Sequence, residues 1–599
     1  LIKGVDRHEL NENTGYVLSE ADMLRDIRVM KELNVNAVRT SYYPNDPLWY
    51  DLCDKYGIYV VDEGNIESHG MGYGDATLAK REDFKAAHIA RDSRMVLRDF
   101  NHPSVIIWSL GNEAGDGDNF VASYDWIKTH DPSRPVQYER ALTSRNSDIA
   151  CPMYASPEWC VKYCENNPGR PLIQCEYAHA MGNSMGNFKE YWDIIRKYPN
   201  YQGGFIWDFV DQAIIWPSKV SKGSNIFAFG GDFNDYDASD GSFNCNGVIA
   251  ADRTYHPHSY EVRYQYRNIL SSLASAPVIL GEAKDLTINV HNENFFKDLS
   301  QYRLHWTAVV EGEPVASGVV ENLKVDPGKT ETISLGMPAI EAPGTDVFVN
   351  LSYILKEKDG LLPAGYEVAY DQIMLQKGDA ISYKPGSASV CETEFRWGGD
   401  HDKQVFSGVF SYSGGNPERI GKWSATFDWK TGFLTSYTVN GKEMLSEPLT
   451  PEFYRAPVEN DMGARLYRDD RMGMWRYVKL TELEDLRISV FEENGKEDGW
   501  VLKATYKPIK DTARVKLTYH VRSDGSLECH EIMEDAGGLD KLQDLFRFGM
   551  KFAMPASFST LDFYGKGPWE NYSDRNSSTL VERYTQRVED QYHYGYVRT

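Results

Sequence analysis

The chain has 599 residues, which at ~100–200 residues per domain predicts about three to five domains. Its 41% hydrophobic and 25% charged residues exclude disordered and collagen-like classes. The net charge of −24 argues against a nucleic-acid partner and against an anionic membrane surface. Apolar runs such as Val105-Ile106-Ile107-Trp108 fall far short of the ~20 residues of a membrane helix.

Leu1-Ile2-Lys3-Gly4-Val5 already reads as a strand, so the chain is expected to begin inside a domain. Short apolar runs follow at Ile2–Val5, Asn36–Thr40, Ile58–Asp62, Val105–Leu110, Pro135–Tyr138, Ile149–Tyr154, Leu172–Cys175 and Gly204–Trp207. Such runs suit strands buried on both faces. Helical spacing separates several of them. Ser19 with Asp22 reads as a capped start for Leu24, Ile27, Met30 and Leu33. Leu48–Tyr56, Ala86–Arg98, Phe120–His130 and Phe188–Tyr198 follow the same logic. Strand and crossover alternating eight times over residues 1–266 predicts a (β/α)8 TIM barrel. A doubly wound sheet is the alternative, but no Gly-rich phosphate fingerprint follows the first strand.

The period then changes from helical to alternating. Leu286–His291, Tyr302–Val310, Glu331–Leu335, Val347–Leu355 and Tyr366–Leu375 predict an immunoglobulin-like β-sandwich over 267–378. A Gly/Ser/Pro-containing stretch from Lys377 to Ser389 reads as a linker. Residues 379–599 are β-rich again, with Asn440-Gly441 as a hairpin signal, and predict a large β-sandwich. The eight cysteines lack a repeating spacing and are read as free thiols, Cys160 and Cys164 included.

Barrel enzymes draw their reactive groups from the C-terminal ends of strands. Those positions hold Arg7-His8-Glu9, Arg39, Glu67-Ser68-His69, Gly111-Asn112-Glu113, Tyr154, Glu176-Tyr177-Ala178-His179 and Trp207-Asp208. Seven of the eight strand ends are thus polar or aromatic, with no group assigned to the fifth. Two carboxylates across a barrel mouth suit glycoside hydrolysis, one as nucleophile and one as acid and then base. Glu176 would need to be ionised, and Glu113 protonated beside another carboxylate. The 14 Trp and 38 Tyr residues supply flat faces for sugars, although they also fill sandwich cores. Glu67 and His69 face one way on an extended segment and, with Glu113, offer a hard-cation site for Mg2+ or Mn2+. The plain alternative is a hydrogen-bonded Glu–His pair.

Two rival motifs are weaker. Gly182-Asn183-Ser184-Met185-Gly186 fits the G-x-S-x-G elbow of serine hydrolases, but Glu176 to Met181 intervene between the apolar strand and the motif. Asp235-Tyr236-Asp237-Ala238-Ser239-Asp240-Gly241 hints at an EF-hand, but its glycine falls at the seventh place, so a loop is expected.

His102-Pro103-Ser104-Val105-Ile106-Ile107-Trp108-Ser109-Leu110-Gly111-Asn112-Glu113 closely resembles the acid/base motif of the large bacterial β-galactosidases of glycoside hydrolase family 2. Cys175-Glu176-Tyr177-Ala178-His179-Ala180-Met181-Gly182-Asn183-Ser184 is similar to their nucleophile motif. Asp62-Glu63-Gly64-Asn65-Ile66-Glu67-Ser68-His69-Gly70 resembles their metal-site segment. Arg455–Asp461 and Gly565–Tyr572 resemble parts of their galactose-mutarotase-like C-terminal sandwich.

The resemblance implies that Glu113 is the acid/base and Glu176 the nucleophile of a retaining exo-β-galactosidase, with carboxyls ~5–5.5 Å apart. It implies Mg2+ on Glu67, His69 and Glu113, and Na+ near Phe243 and Asn246. Asn112 would meet the sugar 2-hydroxyl, and His8, Arg39, Tyr154, His179 and Trp207 would line the galactose pocket. Gly463 would lie on a mobile loop. Family members are longer, so a core fragment of a homo-oligomer is expected, cytoplasmic rather than exported, its last sandwich truncated. There are two departures: Tyr42 stands where a histidine is expected, and Asp6 where an asparagine is usual. Tyr42 leaves open a relative with shifted sugar specificity, and an inert carbohydrate-binding relative is the remaining alternative.

Overall fold

The computed structural model describes residues 1–596 apart from 167–168, 238, 240, 275–285, 380–395, 400–401, 413–418, 494–495 and 594. The part of the expected linker from 380 to 389 therefore lies outside the described residues. The chain forms two compact units, residues 1–380 with 562–599, and residues 381–561.

The first unit begins with a parallel sheet of seven strands. They are β1 (Ile2–Asp6), β2 (Ala37–Arg39), β3 (Tyr59–Glu63), β4 (Val105–Ser109), β5 (Val136–Gln137), β6 (Leu172–Tyr177) and β7 (Tyr201–Ile206). Their spatial order, β5-β4-β3-β2-β1-β7-β6, is that of a barrel opened beside β6. The segment 148–154 fills the opening. Ala150 and Met153 bridge Leu172 and Glu176 of β6, and the Asp148 main-chain N–H donates to the Val136 carbonyl of β5 at 2.7 Å. Ile149–Tyr154 is thus the sixth position of an eight-membered ring but not a regular strand. Pro152 has no N–H to give, and Tyr154 turns to φ 50°. Gly204 and Gly203 let β7 lie close to β1 and β6, because a Cβ on Gly203 would meet the Ile2 carbonyl at 2.0 Å.

Among the described residues seven helices enclose the ring. They are α1 (Glu20–Glu32), α2 (Pro47–Tyr56), α3 (Glu82–Asp99), α4 (Asp118–His130), α5 (Pro157–Asn166), α6 (Phe188–Lys197) and α7 (Pro257–Gln265). Ser19 caps α1 with the reciprocal Asp22 bond that its sequence predicts. Helix α7 carries no apolar stripe, since His258, Ser259, Glu261 and Gln265 are buried on it. Strand side chains alternate between two cores. Val5, Val38, Val60 and Trp108 face the helices. Ala37, Val61, Ile107, Ile173, Cys175 and Phe205 fill the interior.

A seven-stranded sandwich follows, with sheets of three and four strands. Ile269–Leu273 and Glu313–Val320 are strands beyond those read from sequence. The first is short, and its run Ile269-Leu270-Ser271-Ser272-Leu273 lacks a polar–apolar alternation. The second carries Pro314 and Gly318, which read as turn signals. Residues 562–599 belong to this unit although the sequence assigns them to the third domain. The reason lies in specific bonds. Val581 donates to Gln372 and Ser578 to Glu261, Tyr370 donates to the Ser578 carbonyl, and Trp569 stacks on Tyr260 at 3.9 Å.

The second unit contains two antiparallel sheets around a core of Phe406, Trp423, Phe427, Leu502, Tyr506, Leu517 and Tyr519. The Asn440-Gly441 turn forms as predicted, both residues having positive φ (53° and 76°) between paired strands. Gly463 ends the short helix Glu459–Gly463 of this unit.

Candidate active site

The interior ends of the barrel strands are charged. Asp6, Arg39 and Glu63 continue the inward alternation of β1, β2 and β3 and are completely buried. Arg39 is the hub. Its Nε and Nη2 grip Glu63 at 2.7 and 2.9 Å. Its Nη1 donates to Asp6 at 2.9 Å and to Glu176 Oε1 at 3.1 Å. Its Nη2 also donates to Asn112 Oδ1 at 2.7 Å. Ser109 closes the set on Glu63 at 2.7 Å. Burial raises the Asp6 carboxyl well above its ordinary value against the pull of Arg39. Arg7, one residue further along β1, points the other way. It lies over Trp49 at 3.7 Å and pairs with Asp26 at 3.0 Å. It is a structural residue of the helix layer.

Glu176 faces the mouth because β6 is bulged. The β6·β7 register slips between Gln174 and Tyr177, one extra residue on β6, and this re-aims Glu176 relative to Cys175. Three donors converge on its carboxylate. Arg39 and Tyr42 reach Oε1 at 3.1 and 3.2 Å, and Tyr154 reaches Oε2 at 2.8 Å. Burial raises the carboxyl, while Arg39 and Tyr154 pull it down and Glu113 pushes it up. Tyr42 also stacks on Trp207, centroids 5.2 Å apart and rings 13° from parallel. His8 sits edge-on to both rings and is pushed down to about 4 by burial and by Arg39 and Arg7, so it is neutral near pH 7.

Glu113 follows β4 through Gly111, where a Cβ would meet the Ile66 carbonyl at 2.6 Å and φ is 146°. Glu113 itself has φ 38°, the left-handed region that non-glycine residues enter at a cost. It is half-buried. Oε1 accepts from Tyr73 at 2.9 Å and from Arg140 at 3.1 Å. Oε2 lies 3.3 Å from His69 Nδ1.

Glu67, His69 and Glu113 place ligand atoms within 4.8 Å of one another. Two carboxylates and an imidazole suit a hard divalent cation. Burial, then the charges of Glu113, Glu63 and Glu176, push Glu67 up to about 7, an excess of negative charge that a cation would relieve. The donor set therefore fits Mg2+ or Mn2+. Asn246 and Phe243 also meet. The Asn246 amide donates to the Phe243 carbonyl, and its Oδ1 lies 2.8 Å from His179 Nε2. These two residues are engaged with each other and do not by themselves supply a sodium shell.

The structure thus brings His8, Arg39, Asn112, Tyr154, Glu176 and Trp207 to one mouth, with Glu67, His69 and Glu113 beside them and His179 edge-on to Tyr154 at 5.8 Å. Sequence reasoning missed Glu63, Glu139, Arg140 and Tyr73. Glu139 and Arg140 are the missing fifth strand end, hidden because β5 is only two residues long and passes into a turn at Glu139–Ala141. The rival motifs resolve plainly. Ser184 donates its hydroxyl to the His179 carbonyl at 2.8 Å, and among the described residues no base accepts from it. Asn234 caps the loop at Asp237, although residues 238 and 240 lie outside the described residues. Cys160 and Cys164 are free and buried.

A parallel barrel with two glutamates at the ends of β4 and β6, each held by a cationic and a phenolic donor, defines a carbohydrate-active barrel architecture. Three family models match the chain. They are "Glycosyl hydrolases family 2, TIM barrel domain" over 1–271, "Beta-galactosidase, domain 4" over 288–376 and "Beta galactosidase small chain" over 419–599. The β-galactosidase of Alteromonas mediterranea is 35% identical across 99% of this chain and 57% of its own length. That of Vibrio cholerae is 37% identical across 100% and 56%, and that of Yersinia enterocolitica 36% across 100% and 56%. The chain belongs to glycosyl hydrolase family 2. It spans about half the length of the curated relatives it matches.

Proposed function

We propose that this chain carries the catalytic barrel of a retaining exo-β-galactosidase acting on terminal β-D-galactose. The observation that supports this best is the convergence of Arg39, Tyr42 and Tyr154 on Glu176, with Glu113 held separately by Tyr73 and Arg140. One carboxylate is prepared for attack and the other for proton transfer. The curated names of its relatives supply the sugar.

In the first step a Glu176 oxygen bonds to the anomeric carbon as the aglycone bond breaks, and Glu113 gives its proton to the departing oxygen. In the second, Glu113 takes a proton from water, the water oxygen bonds to that carbon, and Glu176 leaves as a carboxylate. Arg39 and the two phenols stabilise Glu176 whenever it carries charge. Neutral His8, the Trp207 face and His179 line the sugar side, and Asn112, fixed by Arg39, meets the 2-hydroxyl. A cation on Glu67, His69 and Glu113 would draw negative charge off this side of the mouth and hold Glu113 in place.

We also propose a homo-oligomer for the full-length enzyme, on the resemblance alone, and a cytoplasmic site, on the free thiols among the described cysteines. Among the described residues no helix is long and apolar enough to cross a membrane. A second reading, a family-2 relative with another sugar, is favoured by Tyr42, whose hydroxyl takes a place on Glu176 and whose ring covers Trp207.

The deciding experiment uses the protein at its full natural length on an aryl β-galactoside, beside Glu176→Gln. Turnover that falls by about 10^4-fold or more in the variant, with β-galactose as the first anomer released, supports the proposal. Cleavage of another aryl β-glycoside in preference moves the assignment to the second reading. Sugar binding without any turnover overturns both in favour of an inert binding relative.

A further inference from the structure

Arg140 has no part in the proposed reaction beyond its contact with Glu113, yet its surroundings are closely built. Its Nη2 donates to Glu113 Oε1 at 3.1 Å. Its Nε lies 2.9 Å from Glu139 Oε1. That same Glu139 oxygen accepts the Glu113 main-chain N–H at 3.1 Å. The three residues therefore form a closed ring that fixes Glu113 at both its backbone and its carboxylate. The guanidinium carbon also lies over Tyr73, 3.8 Å from the ring centroid. Tyr73 donates to the same Glu113 oxygen at 2.9 Å and stacks on His69, 5.4 Å away at 27°.

A lone salt bridge on a side chain 32% exposed contributes little to stability. This one is different in kind. The guanidinium is oriented by stacking, by Glu139 and by Glu113 together, and the carboxylate it holds sits on a left-handed backbone that would otherwise relax. The two oxygens of Glu113 are also divided. Oε1 faces Arg140 and Tyr73, while Oε2 faces His69 and, through it, the Glu67–His69–Glu113 donor set. One positive group is already in place on one side of the carboxylate, and the cation-binding set lies on the other.

We infer that Arg140 is a positioning residue for Glu113 and does on that carboxylate part of what a divalent cation does from the opposite side. This rests on the proposed role of Glu113 as acid/base. Arg140 and the cation then share one task and repel each other across one carboxylate. Loss of either is tolerated, and loss of both is not.

The test crosses Arg140→Ala and Arg140→Lys with chelation of metal in the full-length enzyme. The substrates are a β-galactoside with a poor alcohol leaving group and a dinitrophenyl β-galactoside. Folding is checked by thermal melting. With the poor leaving group, chelation of the wild type and substitution with metal present each lower kcat by about tenfold or less. Together they lower it by about a further tenfold beyond the product of the two, as expected for groups that share a function. KM changes less than kcat, and Arg140→Lys recovers part of the loss. With the dinitrophenyl substrate, whose departure needs no proton from Glu113, kcat/KM, which reports the first step alone, shows neither effect.

Mg2+ affinity, measured by calorimetry, rises by about three- to tenfold in Arg140→Ala, because a neighbouring positive charge is gone. Independent, multiplying effects on kcat with unchanged Mg2+ affinity overturn the inference. So does a wild type whose turnover vanishes on chelation while Arg140→Ala is indistinguishable from it. An enzyme that cleaves no β-galactoside refutes the proposed function instead, and the Mg2+ affinity of Arg140→Ala then decides the inference by itself.

Discussion

The clearest quantitative consequence of the site concerns the two phenols on Glu176. Tyr154 reaches Oε2 at 2.8 Å, and no second donor to that oxygen is found among the described residues. Tyr42 reaches Oε1 at 3.2 Å and shares it with Arg39 at 3.1 Å. The Tyr154 main-chain N–H also donates to the Glu176 carbonyl at 2.8 Å, which fixes the backbone that carries the ring beside the carboxylate. A hydrogen bond to a charged group contributes ~1.5–3 kcal/mol, and a shared, longer one ~0.5–1.5 kcal/mol. At ~1.36 kcal/mol per decade, Tyr154→Phe should lower kcat/KM by about 10- to 150-fold and Tyr42→Phe by about 2- to 10-fold. Phenylalanine keeps both rings, so stacking on Trp207 survives and the hydroxyls alone are tested. The assay is steady-state hydrolysis of an aryl β-galactoside by the full-length enzyme, with melting temperatures as the check on folding. Tyr42→Phe costing as much as Tyr154→Phe, or Tyr154→Phe costing less than about threefold, refutes the division of labour on Glu176.

Arg39→Lys loses the forked grip on Glu63 and the simultaneous reach to Asp6, Glu176 and Asn112. Denaturant unfolding should show a loss of ~3–5 kcal/mol, as for a broken buried charge pair, and a loss below ~1 kcal/mol would refute the hub. Asp6→Asn keeps the acceptor facing Arg39 and replaces an oxygen, Oδ2, that has no partner among the described residues. Because the folded carboxyl is raised, the contribution of Asp6 to stability is full below the unfolded value near ~3.9 and is lost as pH rises toward the folded one, by ~1.4 kcal/mol for each pH unit separating the two. The variant should therefore gain on the wild type between pH 4 and pH 7, and an equal gap at both pH values would refute the raised carboxyl. Arg575→Ala removes a buried guanidinium that ties Asn183 Oδ1 at 2.7 Å and the Ser184 carbonyl at 2.9 Å. It should cost ~2–4 kcal/mol of stability and lower kcat through the loop that follows Glu176; an unchanged melting temperature contradicts this.

Much of the barrel was legible because strands buried on both faces read as apolar runs, and the helices between them bear apolar stripes. The exceptions have physical causes. Ile149–Tyr154 looks like a strand by composition, but Pro152 cannot pair and Tyr154 leaves the extended region. Helix α7 buries polar residues that bond to the barrel and to 562–599, as Glu261 does with Ser578. No amphipathic pattern betrays such a helix. The placement of 562–599 depends on the Gln372, Tyr370 and Glu261 contacts, all far away in sequence.

The site shows the same division more sharply. Arg7 and Arg39 each follow an apolar strand, yet one serves the helix layer and the other the mouth. Alternation predicts this, because Val5 and Arg7 share the outer face of β1, whereas Ala37 and Arg39 share the inner face of β2. By the same alternation Glu176 would lie on the face opposite Cys175, outside the barrel, and a reading by strand parity would discard it. The bulge between Gln174 and Tyr177 reverses that, so one inserted residue in β6 turns the Glu176 carboxylate from the helix layer to the mouth. Motif similarity identifies Glu176 without seeing why it faces the mouth, whereas Glu63 lies inside a quoted motif and its place on Arg39 follows only from the inward parity it shares with Val61. Arg140 escapes both, since β5 is too short to carry a parity and the turn after it belongs to none of the motifs. The Arg140 guanidinium beside Glu113 is visible only once Glu113, Glu139 and Tyr73 have been placed around it.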